Sequence, residues 1–393
     1  MSGISNRQLF LNHLAQTSAA PIGIEIAKAE GIYLFDTAGK KYIDAISGFS
    51  VANIGHGNQK VIDAIQHQSQ QYMHVIVYGE FIEQPQVAYA KLLTDNLPSS
   101  LNCVYFTNSG TEATEGAMKL AKRVTNRTKI IACNKSYHGS TQGALSIMGD
   151  EYWRNAFRPL LPDVHHVNFG SEELIDLIDK QTACVIIEVI QAEAGIIAPD
   201  KDWLQRVRKK CDENFVLLIF DEIQSGFGRT GSLWAFQQCD VVPDILLLGK
   251  ALGGGMPLGA FIADRKLMNT LTNNPVLGHI TTFGGHPVSC AAGKAAMEIL
   301  LNEKWVVEIK QKEKILLQQL QHSIIKKIRT LGLWAAVEFE NHKIIQRCIQ
   351  NGMVTDWFLF APNCMRIAPP LCITEPELLD MCRIIIQSIN ESV

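Results

Sequence analysis

The chain has 393 residues, 47% hydrophobic and 19% charged, with a formal net charge of −3. That length allows two or three domains around a large core, and the near-neutral balance, with a pI of about 6.4, excludes nucleic acid or an anionic membrane surface as an evident partner. The N-terminus Met1-Ser-Gly-Ile-Ser-Asn-Arg7 lacks a charged-then-apolar leader, and no run reaches the roughly twenty apolar residues of a membrane helix, so a cytoplasmic protein is expected.

The ten cysteines are scattered, without a CxxC pair or a finger-like Cys/His spacing. They read as small buried hydrophobes in a reducing compartment, and no metal site is expected. The basic clusters Lys119/Lys122/Arg123, Lys209/Lys210 and Lys326/Lys327/Arg329 read as solvated faces of helical segments.

In chain order, residues 31–46 predict a hairpin around an Ala-Gly turn. Residues 58–96 are helical in pattern. Short apolar strands then alternate with helices, at Asn102–Phe106, Lys129–Cys133, Cys184–Val189, Val216–Asp221, Ile245–Leu248 and Gly259–Ala263. Strands that are apolar throughout, alternating with helices, predict an α/β fold with a mainly parallel sheet covered on both faces. Residues 287–328 read as helical. A tail with strands at Leu331–Phe339 and Met365–Ile367 and a helix after Glu375 predicts a small α+β domain shared with the N-terminal hairpin. The expected division is 1–50 in the small domain, 51–286 as the large domain, and 287–393 completing the small one.

Chemistry gathers at strand ends. Lys250 follows the apolar run Ile245–Leu248 and precedes Ala-Leu-Gly-Gly-Gly255. A lysine beside a buried strand end loses hydration when charged, which favours a neutral or covalently bound amine. A Schiff base to pyridoxal phosphate fits that use, with Asp221, at the end of Val216–Phe220, on the pyridinium nitrogen. The plainer reading is a snorkelling lysine. Asn108-Ser109-Gly110-Thr111-Glu112-Ala113 opens a helix after a strand. It reads either as a phosphate cradle or as an ordinary Ser/Thr cap. Tyr137 of Tyr137-His138-Gly139-Ser140-Thr141 can stack on a flat ring. In Glu188-Val-Ile-Gln191-Ala-Glu193, Glu188 is a structural acceptor or a site residue, and Glu193 is the better site candidate. Gln224 can reach a ring oxygen, Thr282 a phosphate. Arg366, beside Pro369-Pro370, suits a carboxylate, or a surface salt bridge.

Taken in order, Asn-Ser-Gly-Thr-Glu-Ala at 108–113, Tyr-His-Gly at 137–139, Glu-Val-Ile-Gln-Ala-Glu-Ala-Gly at 188–195 and Asp-Glu-Ile-Gln-Ser-Gly at 221–226 form one set. Leu-Gly-Lys-Ala-Leu-Gly-Gly-Gly at 248–255, Thr-Thr-Phe-Gly-Gly-His-Pro at 281–287 and Arg-Ile-Ala-Pro-Pro at 366–370 complete it. From about residue 20 to 385 the chain resembles the class III pyridoxal-phosphate-dependent aminotransferases, the group of ornithine, acetylornithine, 4-aminobutyrate and ω-amino acid:pyruvate aminotransferases. The resemblance implies the type I fold of pyridoxal-phosphate enzymes and a homodimer with its active site at the subunit interface. It implies pyridoxal 5′-phosphate on Lys250, Asp221 on the ring nitrogen and Tyr137 on the ring face. It also implies that Ser109, Gly110, Thr111, His138, Ile223 and Gln224 line the cofactor pocket, and that Thr282 reaches the neighbouring subunit's phosphate. Arg366 would bind a substrate carboxylate, and Glu193 would pair with Arg366 when that carboxylate is absent. Phe49 would line the pocket entrance.

Members that use 2-oxoglutarate often carry Arg where this chain has Ser140, and the segment Ala15–Pro21 lacks the tyrosine that helps hold ornithine in some relatives. A missing bidentate Arg–carboxylate contact is worth about 1.5–3 kcal/mol. The expectation is therefore transfer from an amine or amino acid to a pyruvate-type 2-oxo acid by a ping-pong mechanism. Gln191, Glu193 and Arg366 keep open the alternative, an acetylornithine/ornithine-type enzyme using 2-oxoglutarate. Aminomutases, decarboxylases and racemases share such a fold, and a non-catalytic scaffold could be built on it.

Overall fold

A computed structural model describes residues 4–341 and 343–392. In chain order the strands are β1 (Ile26–Glu30), β2 (Tyr33–Asp36), β3 (Lys41–Asp44), β4 (Cys103–Thr107), β5 (Lys129–Cys133), β6 (Val164–Val167), β7 (Thr182–Glu188) and β8 (Leu217–Asp221). They continue as β9 (Ile245–Leu248), β10 (Gly259–Ala263), β11 (Lys327–Thr330), β12 (Ala335–Glu338), β13 (Met353–Val354), β14 (Trp357–Phe358) and β15 (Ala361–Ile367).

The central sheet has the order β4-β10-β9-β8-β7-β5-β6. The neighbours from β9 to β6 pair in parallel, whereas β10 runs antiparallel to both β4 and β9. Its central strands are buried on both faces, which is why they read as unbroken apolar runs. Helix Gly110–Thr125 lays Ala113, Ala117, Leu120 and Ala121 on the sheet at the 3.6-residue period. Gly116 allows the closest approach, because a Cβ there would lie 2.3 Å from the Phe261 ring on β10.

Two smaller sheets flank this core. One, β1-β2-β3-β13, takes its fourth strand from the C-terminal third, with Met353 beside Ile43 and Val354 beside Asp44. The other, β11-β12-β15-β14, carries Arg366. Among the described residues, no helix is long and apolar enough to cross a membrane.

The α/β class, the hairpin and six of the seven strands of the large sheet agree with the sequence expectation to within two residues. Other details differ, among them the tail, where the expected strands Leu331–Phe339 and Met365–Ile367 are Ala335–Glu338 and Ala361–Ile367, with the short strands β13 and β14 besides. The helical stretch 58–96 is two helices, Gln59–Gln71 and Gln84–Asp95. Between them lies a segment with Gly79 at φ 88°, and Pro85 stands in the first turn of the second helix, where its missing N–H costs nothing. The stretch 287–328 is likewise two helices, Pro287–Asn302 and Trp305–Gln319, followed by strand β11. Lys327 and Arg329 thus stand on a strand. Arg329 is no solvated helix residue: it donates to Gly195 O at 2.6 Å and Glu338 Oε2 at 2.9 Å. Finally, β1 and the edge strand β6 carry no apolar run to announce them.

Candidate active site

Strands β7, β8 and β9 run in parallel and end together, so their last residues meet at one edge of the sheet, where ligands bind in open α/β folds. Glu188 and Asp221 are register partners at that edge, and Lys250 follows two residues after β9. Together with helix Gly110–Thr125 and the 137–140 loop they enclose a cavity of about 300 Å³, within the range of small-molecule sites. Its wall includes Gly110, Thr111, Tyr137, His138, Ser140, Glu193, Asp221, Ile223, Gln224 and Lys250.

The floor is a charged hydrogen-bond chain. Asp221 Oδ2 meets His138 Nδ1 at 2.7 Å, and Asp221 Oδ1 accepts from Ile223 N at 2.9 Å. Burial opposes charge on His138, but its bond to Asp221 and the charges of Asp221 and Glu188 prevail and raise its pKa. Glu188 accepts from Tyr137 N at 2.8 Å and from Ala192 N at 2.9 Å, so it fixes the aromatic loop as a structural acceptor. Burial lifts its carboxyl to about 7, against the opposing pull of His138. Lys250 has φ 50° and donates from Nζ to Gln224 Oε1 at 2.8 Å. Burial lowers its amine to about 8, with Glu193 the strongest opposing charge. At neutral pH, the neutral amine is therefore far more abundant than on an ordinary lysine.

These residues fit a flat anionic cofactor that is bound through an aldehyde. Gln224 Nε2 and His138 Nε2 are buried without a partner, leaving donors available beside Lys250 and Asp221. A Cβ on Gly110 would lie 2.7 Å from Ile223 Cδ1, and one on Gly139, at φ 130°, would lie 2.2 Å from Thr111 Oγ1, so the backbone approach at the helix N-terminus requires glycine. Thr111 Oγ1 lies 2.7 Å from Thr141 Oγ1, and Tyr137 Oη lies 3.1 Å from Ser140 Oγ.

Not every expected residue reaches the wall. Ser109 acts as the helix cap, accepting from Glu112 N. Thr282 is exposed and stands outside the cavity. Phe49 is 43% exposed and covers Arg366, with its ring centre 5.2 Å from the guanidinium, rather than forming the wall.

Arg366 is no surface residue, being 1% exposed. Its Nη2 donates to Glu193 Oε2 at 2.9 Å, and Nη1 lies 2.9 Å from Glu193 Oε1 without hydrogen-bond alignment. The Phe358 ring centre is 4.2 Å from the guanidinium. Leu359 N also donates to Glu193 Oε2, at 2.9 Å.

Two residues of this corner escaped the sequence reading. Asp356 accepts from Arg366 Nε at 3.0 Å; its signal was an acid in the apolar run Val354-Thr-Asp-Trp-Phe358, ten residues before Arg366. Arg229, in the turn Gly226-Phe-Gly-Arg-Thr-Gly231, is fully buried. It donates to Leu333 O (3.0 Å), Pro369 O (2.7 Å), Ser47 Oγ (2.9 Å) and Asn53 Oδ1 (2.6 Å). It thereby fastens a left-handed turn in which Ser47, Gly48, Phe49 and Ser50 have φ of 45°, 57°, 62° and 63°. Non-glycine residues pay about 1–2 kcal/mol each in that region.

Comparison with known proteins agrees with this geometry. The family model described as aminotransferase class-III matches residues 14–389. The acetylornithine aminotransferase of Methanopyrus kandleri is 36% identical over 371 residues, covering 93% of this chain and 94% of its own length. The ornithine aminotransferase of Toxoplasma gondii, whose structure reveals partial occupancy of pyridoxal phosphate at the active site, is 30% identical with a TM-score of 0.90, covering 98% of this chain and 93% of its own. An adenosylmethionine-8-amino-7-oxononanoate aminotransferase from Methanocaldococcus jannaschii is 29% identical, with a TM-score of 0.91 and 98% coverage of both chains. The chain belongs to the class III aminotransferases, and its cofactor is pyridoxal 5′-phosphate.

Proposed function

We propose that this aminotransferase moves the terminal amino group of a donor of the acetylornithine or ornithine kind to a 2-oxo acid, with 2-oxoglutarate favoured, in two alternating half-reactions. The observation that carries this reading is the buried Glu193–Arg366 pair beside the Lys250 cavity. A terminal amine brings no carboxylate to that corner, and Glu193 then keeps Arg366 neutralised. A 2-oxo acid brings a carboxylate next to its reacting carbon, and Arg366 grips it in place of Glu193. Similarity to acetylornithine and ornithine aminotransferases supports this choice over the pyruvate-type acceptor.

Pyridoxal phosphate, when bound, supplies an aldehyde that takes up the amino group and a ring that draws electrons from the carbon losing its proton. In this proposal Lys250 holds the cofactor and later accepts and returns that proton at Nζ, a task suited to an amine near pKa 8. Asp221, backed by His138, holds a proton on the ring nitrogen. Tyr137 stacks on the ring, Gln224 donates to the ring oxygen, Ile223 packs the opposite face, and Gly110 and Thr111 cradle the phosphate at the start of the helix that Ser109 caps.

The chain is proposed to act as a homodimer in which Thr282 serves the partner's phosphate. Thr282 stands amid exposed Val276, Leu277, Ile280 and Phe283, an apolar surface that a second copy would cover. The β3–β13 pairing supports one small domain built from residues 1–50 and 287–393. The ten free thiols support a reducing, cytoplasmic location.

The test is the first half-reaction of the yellow holoenzyme, followed as loss of its absorbance. Bleaching by N-acetylornithine or ornithine and by L-glutamate is expected, with L-alanine slow. Bleaching by alanine and not glutamate would favour a second reading, a pyruvate-type acceptor, for which Ser140 is the supporting observation.

A further inference from the structure

Arg366 carries one positive charge and faces two carboxylates. Register pairing of β14 with β15 sets Trp357 opposite Met365, so Asp356 and Arg366 are cross-strand neighbours. Arg366 N also donates to Asp356 O at 2.8 Å, which fixes the two backbones together. Asp356 thus occupies the Nε edge of the guanidinium and Glu193 the Nη edge. Lys250 is the other cation acting on Glu193, and it is committed to the cofactor in the working enzyme.

A substrate carboxylate arriving at Arg366 would make three anions around one buried cation. Glu193 is itself buried, and leaving the guanidinium would not take it to bulk water. Excess negative charge in such a site is relieved by a proton. Two carboxylates compete for it. Glu193 is held by Arg366 Nη2, by the Nη1 contact and by Leu359 N, and its side chain is 9% exposed. Asp356 has one side-chain bond, to Arg366 Nε, and its side chain is 21% exposed, so it has less to lose and a route to solvent.

We infer that Asp356 is a specificity-determining residue: a carboxylate binds at Arg366 with uptake of one solvent proton by Asp356, whereas a donor that leaves Arg366 to Glu193 binds without it. This rests on the proposed reading of Arg366 as the carboxylate clamp. The charges around the site agree with the direction. Burial lifts the Asp356 carboxyl to about 6, with Arg366 opposing and Glu193 adding. Burial also pushes Glu193 up, but Arg366, Leu359 N and Lys250 outweigh it and leave it below the ordinary value. Asp356 is therefore already partly protonated near pH 6. Binding of a further anion raises its pKa, and affinity falls as pH climbs between the two values.

The experiment measures KM for 2-oxoglutarate and pyruvate, and for the amine donor, from pH 6 to 8.5 in the wild-type holoenzyme, Asp356→Asn and Arg366→Gln. In the wild type, acceptor KM should rise by up to about tenfold per pH unit above pH 6, the limit for one coupled proton. Asp356→Asn keeps an acceptor oxygen for Arg366 Nε. It should abolish that slope and lower acceptor KM at pH 8 by tenfold or more, with no such slope for the donor in either form. Equal slopes in wild type and Asp356→Asn, or a higher acceptor KM at pH 8 in the variant, would overturn the inference. An unchanged acceptor KM in Arg366→Gln would instead remove the clamp reading beneath it. Should Asp356→Asn not fold, calorimetry of 2-oxo acid binding to the wild-type aldehyde-form enzyme at pH 8, in buffers of different ionisation heat, counts the proton directly. A value near one supports proton uptake on carboxylate binding at this corner, and zero overturns the inference.

Discussion

The floor of the cavity and its carboxylate corner are built in opposite ways. Asp221, Glu188 and Lys250 follow from three adjacent parallel strands, so the sheet that forms the core also sets their spacing. The corner draws Phe49, Glu193 and the cross-strand neighbours Asp356 and Arg366 from three segments far apart in the chain, held together by ion pairs and a buried guanidinium rather than by one shared sheet. A site on rigid strand ends suits a cofactor that stays. A site on side-chain pairing suits a contact that is exchanged between substrates, because one partner can be released while the other elements hold. On the proposed reading, the floor carries the chemistry and the corner the choice of substrate.

The largest expected effect falls on the floor. Lys250→Ala should lower kcat by at least about 10³-fold, the scale of losing a positioned proton carrier, and should change the absorbance of bound cofactor. Steady-state turnover with any productive donor checks it; retention of more than a few per cent would mean another residue moves the proton. Next comes the fastening of the corner. Arg229→Met leaves two carbonyls, a hydroxyl and an amide oxygen without their donor, so a loss of about 3 kcal/mol is expected. Because Ser47 and Pro369 flank the Phe49 turn and the Arg366 strand, acceptor KM should rise as well. A melting temperature within a degree of wild type would show that the left-handed turn holds without Arg229.

The same contrast explains what could be read in the sequence. Asp221 and Lys250 are visible because an ionisable residue ends an unbroken apolar run, and a parallel sheet turns each run into a buried strand with its end at the ligand edge. Arg366 has no such context: it follows Cys364-Met365 in an exposed-to-buried strand, and only tertiary pairing makes it buried. Its pairing with Glu193, 173 positions away, came from family resemblance rather than from periodicity. Asp356 was hidden because cross-strand register depends on the tight Phe358–Ala361 turn, which has neither an Asn-Gly nor an Asp-Gly signal. Arg229 was hidden because a cation among glycines looks like a loop residue. Edge strands β1 and β6, and the break between Gln71 and Gln84, are governed by packing that local composition does not encode.

The two remaining changes set the Arg366 corner against the Ser140 side of the cavity. Arg366→Lys keeps the charge but loses the planar fork. Replacing a bidentate contact by a point charge costs about 1.5–3 kcal/mol, so KM for 2-oxo acids should rise roughly ten- to more than a hundredfold. KM for a terminal-amine donor should move much less, and equal shifts in both would mean that Arg366 supports the cavity rather than selecting its ligand. The smallest effect is expected at Ser140. It lines the cavity, is exposed, and contacts Tyr137 Oη at 3.1 Å, so a longer side chain has room to extend towards the mouth. Ser140→Arg adds a fork for a second carboxylate, at a site wetter than the Arg366 corner, and solvent screening holds the gain to about tenfold or less. The discriminating quantity is the ratio of kcat/KM for 2-oxoglutarate to that for pyruvate. A rise through a lower 2-oxoglutarate KM would identify position 140 as the distal-carboxylate subsite. An unchanged ratio would mean that the distal carboxylate is gripped elsewhere, and Ser140 would then give no ground for preferring pyruvate.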